Sequence, residues 1–254
     1  MRRVALKQGV IASLLLLLFC LILFPDSNRT LFLFLHHQLH RFPDVFWRSV
    51  SVLGNWQTVL ALLLALSWYR PQRLSALLLG SGLATGLTML LKTGLAVPRP
   101  SWVLPTGAVQ LLDVVPASGA FPSGHAVAAA VLATALATII HPGAWQKAMP
   151  LLVVAVMLSR LAIGVHWPSD VLAGALLGWL VMRFGCRYLW PQGWPKTVTT
   201  CVQGGLLLLL WWLYGRQAVR HDADWLLSGI EGSVAVWGVV RLLWQQNRKQ
   251  GFRF

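Results

Sequence analysis

Long apolar runs, each closed by charged residues or proline, dominate this chain. Runs of roughly 16–20 apolar residues are long enough to cross a bilayer. The pattern predicts eight of them: Gly9–Phe24, Val50–Tyr69, Leu74–Leu91, Phe121–Ile140, Ala148–Val165, Trp167–Phe184, Val198–Tyr214 and Trp225–Trp244. Each interior is expected to be helical, because lipid cannot satisfy free backbone groups. Arg2, Arg3 and Lys7 before the first run resemble the start of a secretion signal. The run is followed by Phe24-Pro25-Asp26-Ser27, with no clear small-x-small cleavage site, and so reads as a retained anchor. Thr30–Arg41, TLFLFLHHQLHR, is too short to cross. Its apolar start and His/Arg end predict a helix lying at the outer interface. His36 and His40 share a helical face, with His37 beside them, but interfacial placement is favoured over a metal site because short motifs match by chance.

Composition agrees with this pattern. Of 254 residues, 57% are hydrophobic and 11% charged, and mean hydropathy is +0.65. A soluble domain carries about 25% charged residues, so a soluble globule is excluded. Fourteen Trp and only seven acids exclude a disordered chain. The expected architecture is all-α: a polytopic transmembrane helical bundle forming a single integral membrane domain over residues 1–254. The net charge of +14 would suggest nucleic acid in a soluble protein. Here it reads as flanking charge that sets orientation, with no nucleic-acid partner. With the N-terminus in the cytoplasm and the spans alternating, thirteen Lys and Arg fall inside and eight outside, and six of the seven acids lie in or beside the outer segments. Both termini are therefore expected in the cytoplasm. Cys20, Cys186 and Cys201 form no metal or redox spacing and read as packing residues.

The alternation places three polar clusters on the outer face. Lys92 and Arg99-Pro100 end the third span, and Pro122-Ser123-Gly124-His125 opens the fourth. Ser159-Arg160, His166 and Asp170 join the fifth to the sixth. Lys92, Arg99 and Arg160 suit a phosphate, with Arg able to bind two oxygens at once. Pro122 is expected as a first helical residue, so that Ser123 and Gly124 offer free N–H groups at a helix N-terminus. Gly124 lets a ligand come close to the backbone. His125 and His166 supply two imidazoles, enough for a nucleophile and a proton donor. Asp170, four residues after His166, is placed to orient one of them. Each cluster alone has an ordinary explanation: snorkelling cations, an acid at a helix N-terminus, a Pro-Ser-Gly turn. Their convergence on one face, in order, does not.

The patterns K-x6-R-P, P-S-G-H and S-R-x5-H-x3-D resemble the three motifs of the type 2 phosphatidic acid phosphatase (PAP2) superfamily, which includes bacterial lipid phosphatases and vanadium haloperoxidases. Lys92, Arg99 and Pro100 match the first, Pro122 to His125 the second, and Ser159, Arg160, His166 and Asp170 the third. The resemblance covers roughly residues 74–184; it implies a six-helix catalytic core at about 50–190, with extra helices at about 197–245 beyond it. It implies phosphate hydrolysis with no metal and no cofactor. His166 would attack phosphorus and form a phosphohistidine with support from Asp170, and His125 would protonate the leaving group. Lys92, Arg99, Ser123, Gly124 and Arg160 would hold the phosphoryl oxygens.

The expected partners are the bilayer and a phosphorylated lipid, either a polyprenyl diphosphate such as undecaprenyl diphosphate or a phosphatidate-type lipid. The expected location is the bacterial inner membrane, with the active site facing the periplasm. A lipid phosphotransferase of the same fold, acting for example on lipid A, is the alternative; a transporter or flippase is disfavoured because the charges gather at one face rather than at the midplane. Glu231, deep in the last run, should face protein or water rather than lipid. Cysteine scanning tests the orientation. Positions in 101–117 should react with an impermeant reagent in intact cells and positions 73 and 196 should not; the opposite pattern inverts the topology.

Overall fold

A computed structural model of the chain describes residues 13–18, 20–22, 24–139, 144–189, 193–216 and 224–250. Among these there is no strand, and the chain is a helical bundle. We number its helices α1 (Pro25–Leu39), α2 (Asp44–Val52), α3 (Trp56–Tyr69), α4 (Leu74–Leu95), α5 (Pro100–Val103), α6 (Gly124–Ile139), α7 (Ala144–Ala162), α8 (Pro168–Phe184), α9 (Lys196–Arg216) and α10 (Asp224–Gln250). Among the described residues, three stretches are long and apolar enough to cross a membrane unaided: Pro71–Val103, Pro168–Leu189 and Lys196–Gly215. Two bent pairs pass the same test together, Ser13–Ile22 with α1 at 105° and α2 with α3 at 46°. Gly124–Ile139 and Ala148–Ala162 are shorter apolar helices. The chain is a multi-pass membrane protein. Of the first predicted span, residues 9–12, 19 and 23 lie outside the described residues.

Two expectations need correction. The run Val50–Tyr69 is not one helix, because the chain breaks at Leu53-Gly54-Asn55. The Asn55 side chain accepts a hydrogen bond from the Gln57 N–H at 3.0 Å and starts α3 afresh. Gly54 packs so closely on His125 that a Cβ there would sit 2.8 Å from its carbonyl oxygen. The helix read at Thr30–Arg41 has other bounds and turns one face to the protein. It starts at Pro25, with Pro in the first turn and Asp26 at the positive end of its dipole. It buries Phe32, His36 and Leu39.

Helix α6 is the centre. Its sequence GHAVAAAVLATALATI is apolar nearly all round, as a helix enclosed by others must be, and α3, α4, α7 and α8 all pack on it. The closest approach is to α8. A Cβ on Gly174 would lie 2.5 Å from the Ser123 carbonyl oxygen, and one on Gly178 would overlap that of Val127. Small residues four apart let two helices meet backbone to backbone, which in lipid replaces the missing hydrophobic drive. Helices α9 and α10 pack on each other and on α3. Gln203 donates to Ser67 Oγ at 3.0 Å, and Trp68 stacks edge-on against Trp237 at 5.2 Å. Glu231 is fully buried, as its depth in the span demands.

The glycine seam can be tested directly. Gly178→Val should destabilise the detergent-solubilised protein by about 1–3 kcal/mol, the usual range for overpacking. Gly82→Ala, where an added Cβ meets nothing within 4 Å, should be neutral or slightly stabilising. Equal melting temperatures for G178V and the parent would remove the seam from the account.

Candidate active site

The three clusters meet at one end of the bundle. Helix α4 ends with Lys92 in its last turn, and its C-cap Ala96 takes a left-handed backbone, φ 44°. For a residue with a Cβ this costs about 1–2 kcal/mol. The turn sends Val97–Arg99 back across the site, where the Val97 carbonyl accepts from the Ala120 N–H at 2.7 Å. Helix α6 starts at Gly124 rather than at Pro122, so Pro122 lies ahead of the helix and is not its first residue. The Ser123 N–H is not free for a ligand: it donates to the Asp170 carbonyl at 3.0 Å and fastens the start of α6 to the start of α8. A Cβ on Gly124 would meet nothing within 4 Å, so the space beside this turn is open. Helix α7 carries Arg160 in its last turn. Gly164 turns the chain at φ 85° under Val109, Gln110 and His36, and Val165-His166-Trp167 runs into α8.

His166 is 3% exposed. Its Nδ1 stands 3.5 Å from Asp170 Oδ2, while the same carboxylate oxygen accepts the Trp167 N–H at 2.7 Å. Asp170 therefore caps α8 and faces the imidazole at once. Burial holds the His166 pKa well below the ordinary imidazole range, and the charges of Arg160, Arg99 and Lys92 act in the same direction. A neutral ring is the nucleophilic form. With Nδ1 turned to the carboxylate, Nε2 is the nitrogen left for chemistry.

Lys92 and Arg99 are held by backbone carbonyls rather than by acids. Arg99 is 1% exposed. Its Nε donates to Pro116 O at 3.1 Å and Ser118 O at 2.9 Å. Nη1 donates to Val165 O at 2.8 Å, and Nη2 to Ser118 Oγ at 3.4 Å and Gly119 O at 3.3 Å. A guanidinium has five N–H groups, so little beyond one Nη1 proton is left for a phosphate, and Arg99 also braces the 116–119 loop against the residue before His166. Lys92 Nζ donates to Gly119 O at 2.8 Å and Ala120 O at 3.4 Å. Arg160 Nη1 donates to Ser51 Oγ at 2.6 Å, and its buried Nε has no hydrogen-bond partner. Ser123 Oγ and Asp170 Oδ1 are likewise buried without one. Lys92 lies within electrostatic reach of Arg99, Arg160 and Asp170, and the charges of the three cations reach partly exposed His125. All eight residues singled out from the sequence are thus brought together.

Other residues of the site carry no motif. Ser51 comes from the end of α2, and Asp113, whose charge acts on Arg160, from the connection between α5 and α6. Gly174 and Gly178 were not singled out from the sequence, although their small-x3-small spacing is a signal that could have found them. His36, read as interfacial, is buried: its Nδ1 meets Leu161 O at 2.9 Å and its Nε2 accepts the Gln110 N–H at 3.1 Å.

The site is thus a buried imidazole facing a carboxylate, with three cations close by, at one end of a membrane bundle. The PAP2 superfamily model matches residues 73–194. The chain is 35% identical over 126 residues to the undecaprenyl-diphosphatase of Sulfolobus acidocaldarius, a match that covers 48% of this chain and 58% of that protein. The crystal structure of Aquifex aeolicus LpxE superposes with a TM-score of 0.57 at 30% identity, over 63% of this chain and 94% of that one. That of the first transmembrane PAP2 type phosphatidylglycerolphosphate phosphatase from Bacillus subtilis gives 0.55 at 24%, over 68% and 92%, and supports the fold. The chain belongs to the PAP2 superfamily.

Proposed function

We propose that this protein is a lipid phosphatase of the bacterial inner membrane, one membrane domain with both termini in the cytoplasm and its site facing outward. The observation that carries the reading is the His166–Asp170 pair at 3.5 Å, set among three cations with Arg160 Nε and Ser123 Oγ unengaged. Such a pocket is built for the equatorial oxygens of a phosphoryl group in transit. His166 Nε2 attacks phosphorus as the bond to the lipid oxygen breaks. His125 gives the departing oxygen its proton. A water then attacks the phosphohistidine, with His125 as base, and inorganic phosphate leaves. Asp170 fixes the His166 ring and balances the charge it acquires.

The name of the Sulfolobus acidocaldarius relative points to a polyprenyl diphosphate such as undecaprenyl diphosphate, and a phosphatidate-type lipid is the other substrate class this reading includes. Exposed Trp102 and Val103 beside Arg99 place apolar surface next to the polar pocket, as a substrate with a lipid tail requires.

His166→Ala should abolish phosphate release from a panel of lipid phosphates in detergent while leaving expression and melting temperature intact. Asp170→Asn should retain on the order of one part in a hundred or less, since an unoriented imidazole loses most of its power. A fully active H166A protein defeats the mechanism, and transfer of phosphate to an acceptor lipid in place of free phosphate would identify a transferase.

Release should also survive a metal chelator, because three cations around the nucleophile repel a metal ion. Vanadate should inhibit it by taking the place of five-coordinate phosphorus. Activity lost in EDTA and restored by a divalent ion would contradict this.

A further inference from the structure

Helix α1 lies outside the family-matched segment, which begins at residue 73, yet one of its faces touches the third motif along its whole length. Asn28 sits opposite Ser169: its Nδ2 donates to Ser169 Oγ at 2.9 Å, and its Oδ1 accepts the Ser169 N–H at 3.2 Å. One turn on, Phe32 is fully buried and meets the Trp167 ring edge-on at 5.3 Å. A further turn on, His36 stacks on Phe32 at 5.2 Å. It bonds the Leu161 carbonyl through Nδ1 at 2.9 Å, and its Nε2 takes the Gln110 N–H at 3.1 Å. Residues 28, 32 and 36 are spaced by four, so they form one stripe about 12 Å long. The stripe runs antiparallel to Leu161, Trp167 and Ser169.

That arrangement brackets His166. Leu161 follows Arg160 at the end of α7, and Ser169 precedes Asp170 at the start of α8. The connection between them includes Gly164 at φ 85°, a residue with little conformational preference of its own. Its path has to be imposed from outside. Arg99 does so from one side, through the Val165 carbonyl at 2.8 Å. Helix α1 holds both ends of the connection. The contacts are directional: an amide pairing both a hydroxyl and an N–H of one residue, and an imidazole whose tautomer is set by a donor and an acceptor on opposite sides. A helix that served only to fill space would need neither.

We propose that α1 is a clamp on the segment carrying the nucleophile, with Asn28 and His36 as positioning residues that fix where His166 stands relative to the phosphoryl site. This rests on His166 being the nucleophile. Neither residue touches the reacting atoms; each acts through the backbone that holds His166.

The test uses full-length protein in detergent with dioctanoyl phosphatidate as the probe. Asn28→Leu should lower kcat by about tenfold to a hundredfold, the scale of a misplacement near 1 Å at a reacting group, with KM changed less than about twofold. Asn28→Asp keeps an acceptor for the Ser169 N–H at the α8 N-terminus and should stay within about threefold of the parent. His36→Leu should behave like N28L, and His36→Gln, which can donate and accept, should recover most of the loss. A kcat for N28L and H36L equal to the parent's overturns the clamp. So does a lowered melting temperature with full kcat per folded molecule, which would make α1 scaffold alone. A second readout does not depend on turnover: carbethoxylation of His166 by diethyl pyrocarbonate, followed by mass spectrometry of its peptide. N28L should raise its rate by about fivefold or more as the ring loosens from its buried place. If the parent releases no phosphate but this labelling rises, the phosphatase reading fails and the clamp stands. If labelling and kcat are both unchanged in an active protein, the clamp fails and the phosphatase reading stands.

Discussion

Everything at the site hangs on how closely α6 and α8 approach each other. Gly174 and Gly178 remove the side chains that would keep the two backbones apart, and the Ser123 N–H then reaches the Asp170 carbonyl at 3.0 Å. That bond joins the second motif to the third. It sets the start of α6, hence the placement of His125, and the start of α8, hence the placement of Asp170 against His166. In water a bundle could compensate for a looser seam with buried apolar area. In lipid, where tails are as apolar as leucine, close van der Waals contact between helices is what holds the pair.

Around that seam the protein solves an electrostatic problem. Lys92, Arg99 and Arg160 are brought together with few acids near them, which burial penalises. Backbone carbonyls provide the compensation: those of Pro116, Ser118, Gly119, Ala120 and Val165 accept from Lys92 and Arg99. The irregular connection after α5 is therefore part of the site. Carbonyl dipoles anchor the cations without cancelling their charge, which an acid would do. Helices α1 and α2 support the arrangement from outside the family-matched segment, through Asn28, His36 and Ser51.

The fold class, and the residues that converge at the candidate site, were legible because both are written locally. Apolar run length gives the helices, and the three motifs carry charge and imidazole at fixed spacing. What escaped depended on contacts between distant positions. The break at Gly54 answers to His125, seventy-one residues on. Pro122 lies ahead of α6, and the Ser123 N–H, expected free at a helix start, is taken by Asp170 from another helix. His36 looked interfacial because its partners, Leu161 and Gln110, are set by tertiary packing and have no signature around position 36. Arg99 illustrates the same limit: its type and place were apparent, but its commitment to carbonyls follows from the path of the 116–119 loop.

That commitment has a kinetic side. A pocket whose positive charge is anchored but not neutralised attracts any tetrahedral oxyanion, and on the proposed reading inorganic phosphate is what remains in it after each turnover. The lipid can diffuse away along the bilayer, but the free anion has to be drawn out of the same field that made the site attractive. Turnover in such a site is then governed by the escape of its smallest product, and the surrounding concentration of phosphate sets how much of the enzyme is free to work.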